Sequence, residues 1–361
     1  MLTATVFYLA SLAQDPLRDL GHYEVDSKLQ LHAVASRTLT WLTGTAEDND
    51  YISVGRYANF FGFVKFRVAS GHSLSRSGAG QETWSVLNPE QRAILVETLS
   101  NQEQDFSAVW RRRIDMNRAL ESMILGESVT RGDFLALGAD YGKAEAELGA
   151  TIAAGLGRIA VDLDEQQKSQ LVAMRGRYLS GSGGEFRLDK RSSGLPKLEK
   201  ADKQELLNLS SRLLTWTTGA PQDNDFETVG KPSQHFGFVS LRVSSGHSVR
   251  RGNVAREVLA LLDKDQERTL RDYVQEEAYL FQRFLDRRAL LLRELEKALT
   301  GEELDRKKIA ELGRAVGQVE AEMTWGQAHA ILAVRERLSA EQSEDLLAMR
   351  AKYVPVTAAE E

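Results

Sequence analysis

A chain of 361 residues is long enough for two ordinary domains with their own apolar cores, and 42% hydrophobic with 27% charged residues is a globular composition rather than a disordered one. The net charge of -6 gives no electrostatic case for nucleic acid, which asks for a basic face. The absence of cysteine excludes a thiol nucleophile, thiolate metal ligands, disulfides and covalently attached haem, and it fits an exported protein.

In chain order, the first thirteen residues, MLTATVFYLASLA, are apolar and end in small residues, so 1–13 resemble the remnant of a signal peptide cut before Gln14. A positively charged start is missing, which leaves an ordinary buried helix and a cytoplasmic protein as the alternative to export. No other stretch is long and apolar enough to span a membrane. A helix is predicted from Asp26 to Thr43, stopped by Gly44. Beyond it lie DND at Asp48–Asp50, FGFV at Phe61–Val64 and SGHS at Ser70–Ser73. Val64, Phe66 and Val68 alternate with Lys65 and Arg67 as in a strand, whereas Phe60, Phe63 and Val64 also suit a helix. The segment is read as extended or irregular, laid on the helices. DND is no calcium loop, because positions six and twelve from Asp48 are Ser53 and Asn59 where an EF-hand needs Gly and Glu.

A long helix is predicted from Asn88 to Gly126, with an apolar stripe of Leu95, Leu99, Phe106, Val109, Met116, Leu120 and Met123 at steps of mostly three and four. At 1.5 Å per residue it is about 55 Å long, which implies an elongated helical hairpin or packing on another copy. The next helix, Thr130–Val161, carries Gly138, Gly142 and Ala146 on one line, read as the seam against the long helix. A fourth, Asp164–Tyr178, closes the unit. The triplet Arg111-Arg112-Arg113 splays around its helix axis and reads as a solvated or ion-paired face.

Shifting the sequence by 175 residues superposes 36–178 on 211–353 without a gap, and roughly 50 of the 143 positions are identical. The fold class expected is therefore all-α, as two tandem copies of an elongated hairpin unit. The first repeat spans 14–178 and the second 201–353, with a Gly-, Ser- and charge-rich linker at 179–200 and a tail at 354–361.

One short pattern recurs four times, as LNPEQ at Leu87, LDEQQ at Leu163, LDKDQ at Leu262 and LSAEQ at Leu338. Asn88, Asp164, Asp263 and Ser339 are good helix N-caps, and the glutamine three places on can return a bond to the cap. The pattern at helix starts resembles the LTxxQ motif of the Spy/CpxP family, with LSAEQSEDLLAMRAKY and LDEQQKSQLVAMRGRY the nearest pieces, over roughly 87–178 and 262–353. That resemblance implies a periplasmic, non-enzymatic helical protein. Family members form cradle-shaped antiparallel dimers of long hairpins; some act as ATP-independent chaperones, and relatives sense or bind metals. Two fused copies would form within one chain what the family forms as a dimer, an intramolecular pseudo-dimer.

Identity between the copies is densest at 36–76, which the family motif does not reach. Phe61, Phe63, Arg67 and His72, with Phe236, Phe238, Arg242 and His247 in the second copy, are the candidate partner-binding residues. His72 and His247 could be symmetric metal ligands, but a metal needs three or four donors and the sequence nominates two, so a histidine holding a turn is favoured. No cofactor is expected. Arg113 and Arg288 fall in register with the apolar stripes and are expected to pair with Glu145, Glu147, Glu320 and Glu322. No nucleophile–base arrangement or phosphate loop recurs, so no enzyme is expected. Two readings remain: an exported binder of protein clients on a helical cradle, or a scaffold whose FGFV–SGHS segments drive self-assembly or partner docking. Metal sensing through His72 and His247 is a third.

Overall fold

The computed structural model describes residues 76–179, 197 and 251–353, and all the elements among them are helices. In chain order these are α1 (Arg76–Val86), α2 (Pro89–Ile124), α3 (Arg131–Asp162), α4 (Glu165–Leu179), α5 (Arg251–Leu261), α6 (Lys264–Glu296), a 3₁₀ turn (Lys297–Thr300), α7 (Arg306–Arg335) and α8 (Ala340–Tyr353). The protein is all-α in this part. The helix predicted at 26–43 and the segment around FGFV and SGHS lie outside the described residues, as do the linker's other residues.

The helix ends follow from local chemistry. Thr130 caps α3 by accepting from the Asp133 amide at 3.1 Å, and Asp305 caps α7 by accepting from Lys308 at 2.9 Å. The two long helices stop alike. Gly126 and Gly301 sit at φ 82° and 80°, a left-handed conformation open to glycine at little cost. Glu127 N donates to Ser122 O (2.9 Å) and Glu302 N to Lys297 O (3.1 Å), which satisfies carbonyls the helix would otherwise leave bare. Short links then turn the chain back, so α2 packs antiparallel on α3 and α6 on α7.

Two helices absent from the sequence reading are α1 and α5. Their sequences, RSGAGQETWSV and RGNVAREVLAL, hold glycine, serine and asparagine and have little intrinsic preference for helix. Burial decides instead. Trp84 is 2% exposed and Val258 fully buried, and α1 lies on α4 as α5 lies on α8.

The middle of the molecule is α3 against α7. This corrects the expected seam: Gly138, Gly142 and Ala146 face α7, not the long helix α2. A Cβ on Gly142 would overlap the Gly313 carbonyl oxygen and come within 2.7 Å of Gly317 Cα, and one on Gly317 would overlap the Gly138 carbonyl. Backbones this close need glycine on both sides. Four interior glycines cost about 4 kcal/mol of helix propensity together, which the backbone contact offsets. The long helix α2 is met elsewhere on α3, where Gly155 accommodates Thr98. A large core joins α2, α3, α6 and α7, from Leu95 to Ile331, and a smaller cluster around Leu270, Tyr273 and Val334 lies at the base of α6 and α7.

Candidate functional site

Asn88 and Gln91 exchange bonds as a capping box requires: Gln91 N donates to Asn88 Oδ1 (2.8 Å) and Asn88 N to Gln91 Oε1 (3.0 Å). Asp164 and Gln167 do the same at 2.7 and 3.1 Å. Beyond the expected box, the two carboxamides face each other. Gln91 Nε2 donates to Gln167 Oε1 (3.1 Å), and Gln167 Nε2 returns a bond to Gln91 Oε1 (2.7 Å). Each also donates to a helix-end carbonyl, Gln91 to Asp162 O and Gln167 to Val86 O, both at 3.0 Å. Both donors and both acceptor sites of each carboxamide are used, which is what burial demands, for Gln91 is fully buried. Four helix ends are tied together: the starts of α2 and α4 and the finishes of α1 and α3.

The same bonds recur 175 residues later. Gln266 Nε2 donates to Gln342 Oε1 (3.1 Å) and Arg337 O (2.8 Å), while Gln342 Nε2 donates to Gln266 Oε1 and Leu261 O, both at 2.9 Å. Asp263 and Ser339 supply the caps. The sequence reading took each motif as a separate helix start. The signal for pairing was present, since the glutamines of each pair stand the same distance apart in sequence, 76 residues.

Across the α3·α7 seam, charge accompanies the glycines. Arg131 binds Glu322, which Arg283 also approaches at 3.4 Å, and Arg306 reaches the Glu147 carbonyl at 3.4 Å. Arg288 sits among Glu145, Glu320 and Tyr141; burial lowers the guanidinium's pKa while these three groups oppose that shift. Its guanidinium also lies 5.9 Å from the Phe284 ring centroid. Glu145 and Glu320 thus stand near enough for their charge to act on Arg288, in the sense of the expected arginine–glutamate pairing. Glu322 meets Arg131 and Arg283 instead, the Glu147 carboxylate pairs with Lys143 on its own helix at 3.2 Å, and Arg112 pairs with Asp115 on its own helix at 3.6 Å. The Arg113 side chain is outside those described. At the tip of α6, burial pushes the Glu294 carboxyl up, but hydrogen bonds from Lys297 and Lys308 outweigh it and the net shift is down.

The candidate partner-binding residues Phe61, Phe63, Arg67, His72, Phe236, Phe238, Arg242 and His247 all lie outside the described residues. Among the described residues no helix is long and apolar enough to cross a membrane, and no group of three or more metal-ligating side chains gathers. His329, on α7, lies against Trp325 with ring centroids 4.3 Å apart and the planes tilted by 37°. No family model, no curated protein and no solved structure matches the chain.

Proposed function

We propose that the chain is an exported, non-enzymatic binding protein that holds unfolded protein clients on a cradle of paired helical hairpins without ATP. The observation that carries this reading is the L-x-x-x-Q motif, used four times at helix starts and tied in pairs by reciprocal Gln–Gln bonds. It is the element on which the resemblance to the Spy/CpxP family rests. Tandem duplication supports the reading further. The sequence repeats at an offset of 175, the glutamine bonds repeat at the same offset, and Gly142 of α3 lies on its own counterpart, Gly317 of α7. Contacts that pair each residue with its counterpart's partner belong to a two-fold arrangement, so one chain would supply both halves of the dimer that the family makes from two. The apolar stretch at 1–13 and the absence of cysteine support export.

The test is aggregation of a chemically unfolded client, followed by light scattering, with the purified full chain and no nucleotide. Suppression at near-stoichiometric ratio is expected; a client that aggregates at its unassisted rate overturns the reading.

A further inference from the structure

Most contacts across the α3·α7 seam are reciprocal. Gly138 against Ala321 is answered by Gly313 against Ala146, and Arg131 on Glu322 by Arg306 on the Glu147 carbonyl. Because α3 itself carries both members of each such set, it could make them equally well with the α3 of a second chain. Arg306 Nη1 also reaches Thr151 Oγ1 at 3.3 Å where the answering position is Gly326, but α3 carries both Arg131 and Thr151 and so keeps that contact available to a second α3. Two further contacts break the reciprocity in a way α3 alone cannot restore. Phe134 packs on Trp325 with centroids 5.6 Å apart, whereas the answering positions hold Ile309 and Ala150. Arg314 Nη1 lies 2.7 Å from Asp140 Oδ1, whereas the answering positions hold Ala139 and Ala315.

We propose that Phe134–Trp325 and Asp140–Arg314 are specificity determinants that key α3 to α7 of the same chain and against α3 of a second copy. In an α3·α3 pair each Phe134 would face an alanine, and so would each Asp140, so neither contact could form. Discrimination of this kind lies in what the wrong partner lacks. The tether holds the two halves at an effective concentration on the order of mM, so the competing dimer is sought in protein refolded near that concentration. The inference rests on the duplication reading and is independent of what the cradle binds.

The test moves one arginine without changing the composition. In A139R/R314A the α3·α7 pair loses its ion pair while an α3·α3 pair gains two. Residues 139 and 140 are half-exposed and 314 is exposed, so the substitutions do not disturb the core. Lys143→Cys, beside Gly142 in a chain that has no cysteine, reports the pairing through a short bismaleimide, since only α3·α3 brings two such thiols together. With K143C alone the refolded protein is expected to be a monomer by light scattering with little crosslink. Adding A139R/R314A should raise crosslinked dimer at least tenfold, and W325A, which removes the other determinant, should do so independently. D140R/R314D, which reverses the ion pair but keeps it between α3 and α7, should stay monomeric. The proposal is overturned if K143C alone crosslinks as readily as the variants. It also fails if A139R/R314A and W325A stay uncrosslinked while helical by circular dichroism, or if D140R/R314D crosslinks as they do.

Discussion

The bases of the two hairpins carry the same lock on different cores. At the first, Gln91 and Gln167 clasp above Thr98, which fits against Gly155, and Trp84 fills the space beneath α1. At the second, Gln266 and Gln342 clasp identically, but Tyr273 replaces Thr98, lies against Gly326 and donates its hydroxyl to Met323 O at 2.9 Å. Side chains of different size thus surround the same polar contact at the two bases. The difference reflects the physics of each. Packing accepts many combinations of the right volume, whereas two carboxamides that must each give and take two bonds accept no other side chain in their place.

The comparison is broken most severely by removing a clasp. Gln91→Ala and Gln266→Ala should each cost about 3 kcal/mol in urea unfolding, because each strands the partner carboxamide, a helix-end carbonyl and a cap amide. Double-mutant cycles with Gln167 and Gln342 should return coupling above about 1 kcal/mol, equal at the two bases within error. Unequal coupling would mean that the two locks are alike in geometry only.

Next in size are changes that probe the differing cores. Gly155→Ala should cost about 1–3 kcal/mol, since its Cβ would overlap Thr98 Oγ1. The equivalent position at the second base is already Ala330, where Ala→Gly should cost about 1 kcal/mol, read by the same unfolding curves.

Smaller again is a pH effect confined to the second hairpin. Burial raises the Glu296 carboxyl from 4.5 to about 7, against the opposing charge of Arg293. A raised folded pKa gives stability that is complete below about pH 4.5 and is lost by about pH 7 as the buried carboxyl ionises. Glu296→Gln should therefore match the wild type at pH 4 and exceed it by about 1–2 kcal/mol at pH 8, measured by urea midpoint. Last, Tyr273→Phe should cost about 1 kcal/mol, the worth of the bond its hydroxyl donates to Met323 O.

What was legible in the sequence follows the range of each interaction. The caps at Asn88, Asp164, Asp263 and Ser339 and the stops at Gly126 and Gly301 are decided within three or four residues, so residue type alone located them. The glycines at 138 and 142 announced a close approach but could not say to whom, because a stripe of small residues is a shape without an address. Assigning it to α2 followed chain proximity, and the partner proved to be α7. Helices α1 and α5 were invisible because nothing local favours them; the burial of Trp84 and Val258 is a property of the assembled base. Of the candidate site, the nearness of Arg288 to glutamates was readable from register, and the mutual clasp of the glutamines was not, because it joins residues 76 positions apart.

The clasp has one more consequence. A carboxamide has no proton to lose between acid and alkali and no net charge for dissolved ions to screen. The exchange between the two carboxamides that gathers four helix ends at each base is therefore itself indifferent to acidity and salinity, while the arginine–glutamate contacts along the seam are between charges that dissolved ions screen. A chain built this way has, at each base, one polar contact that holds its geometry whatever the charge state of its neighbours.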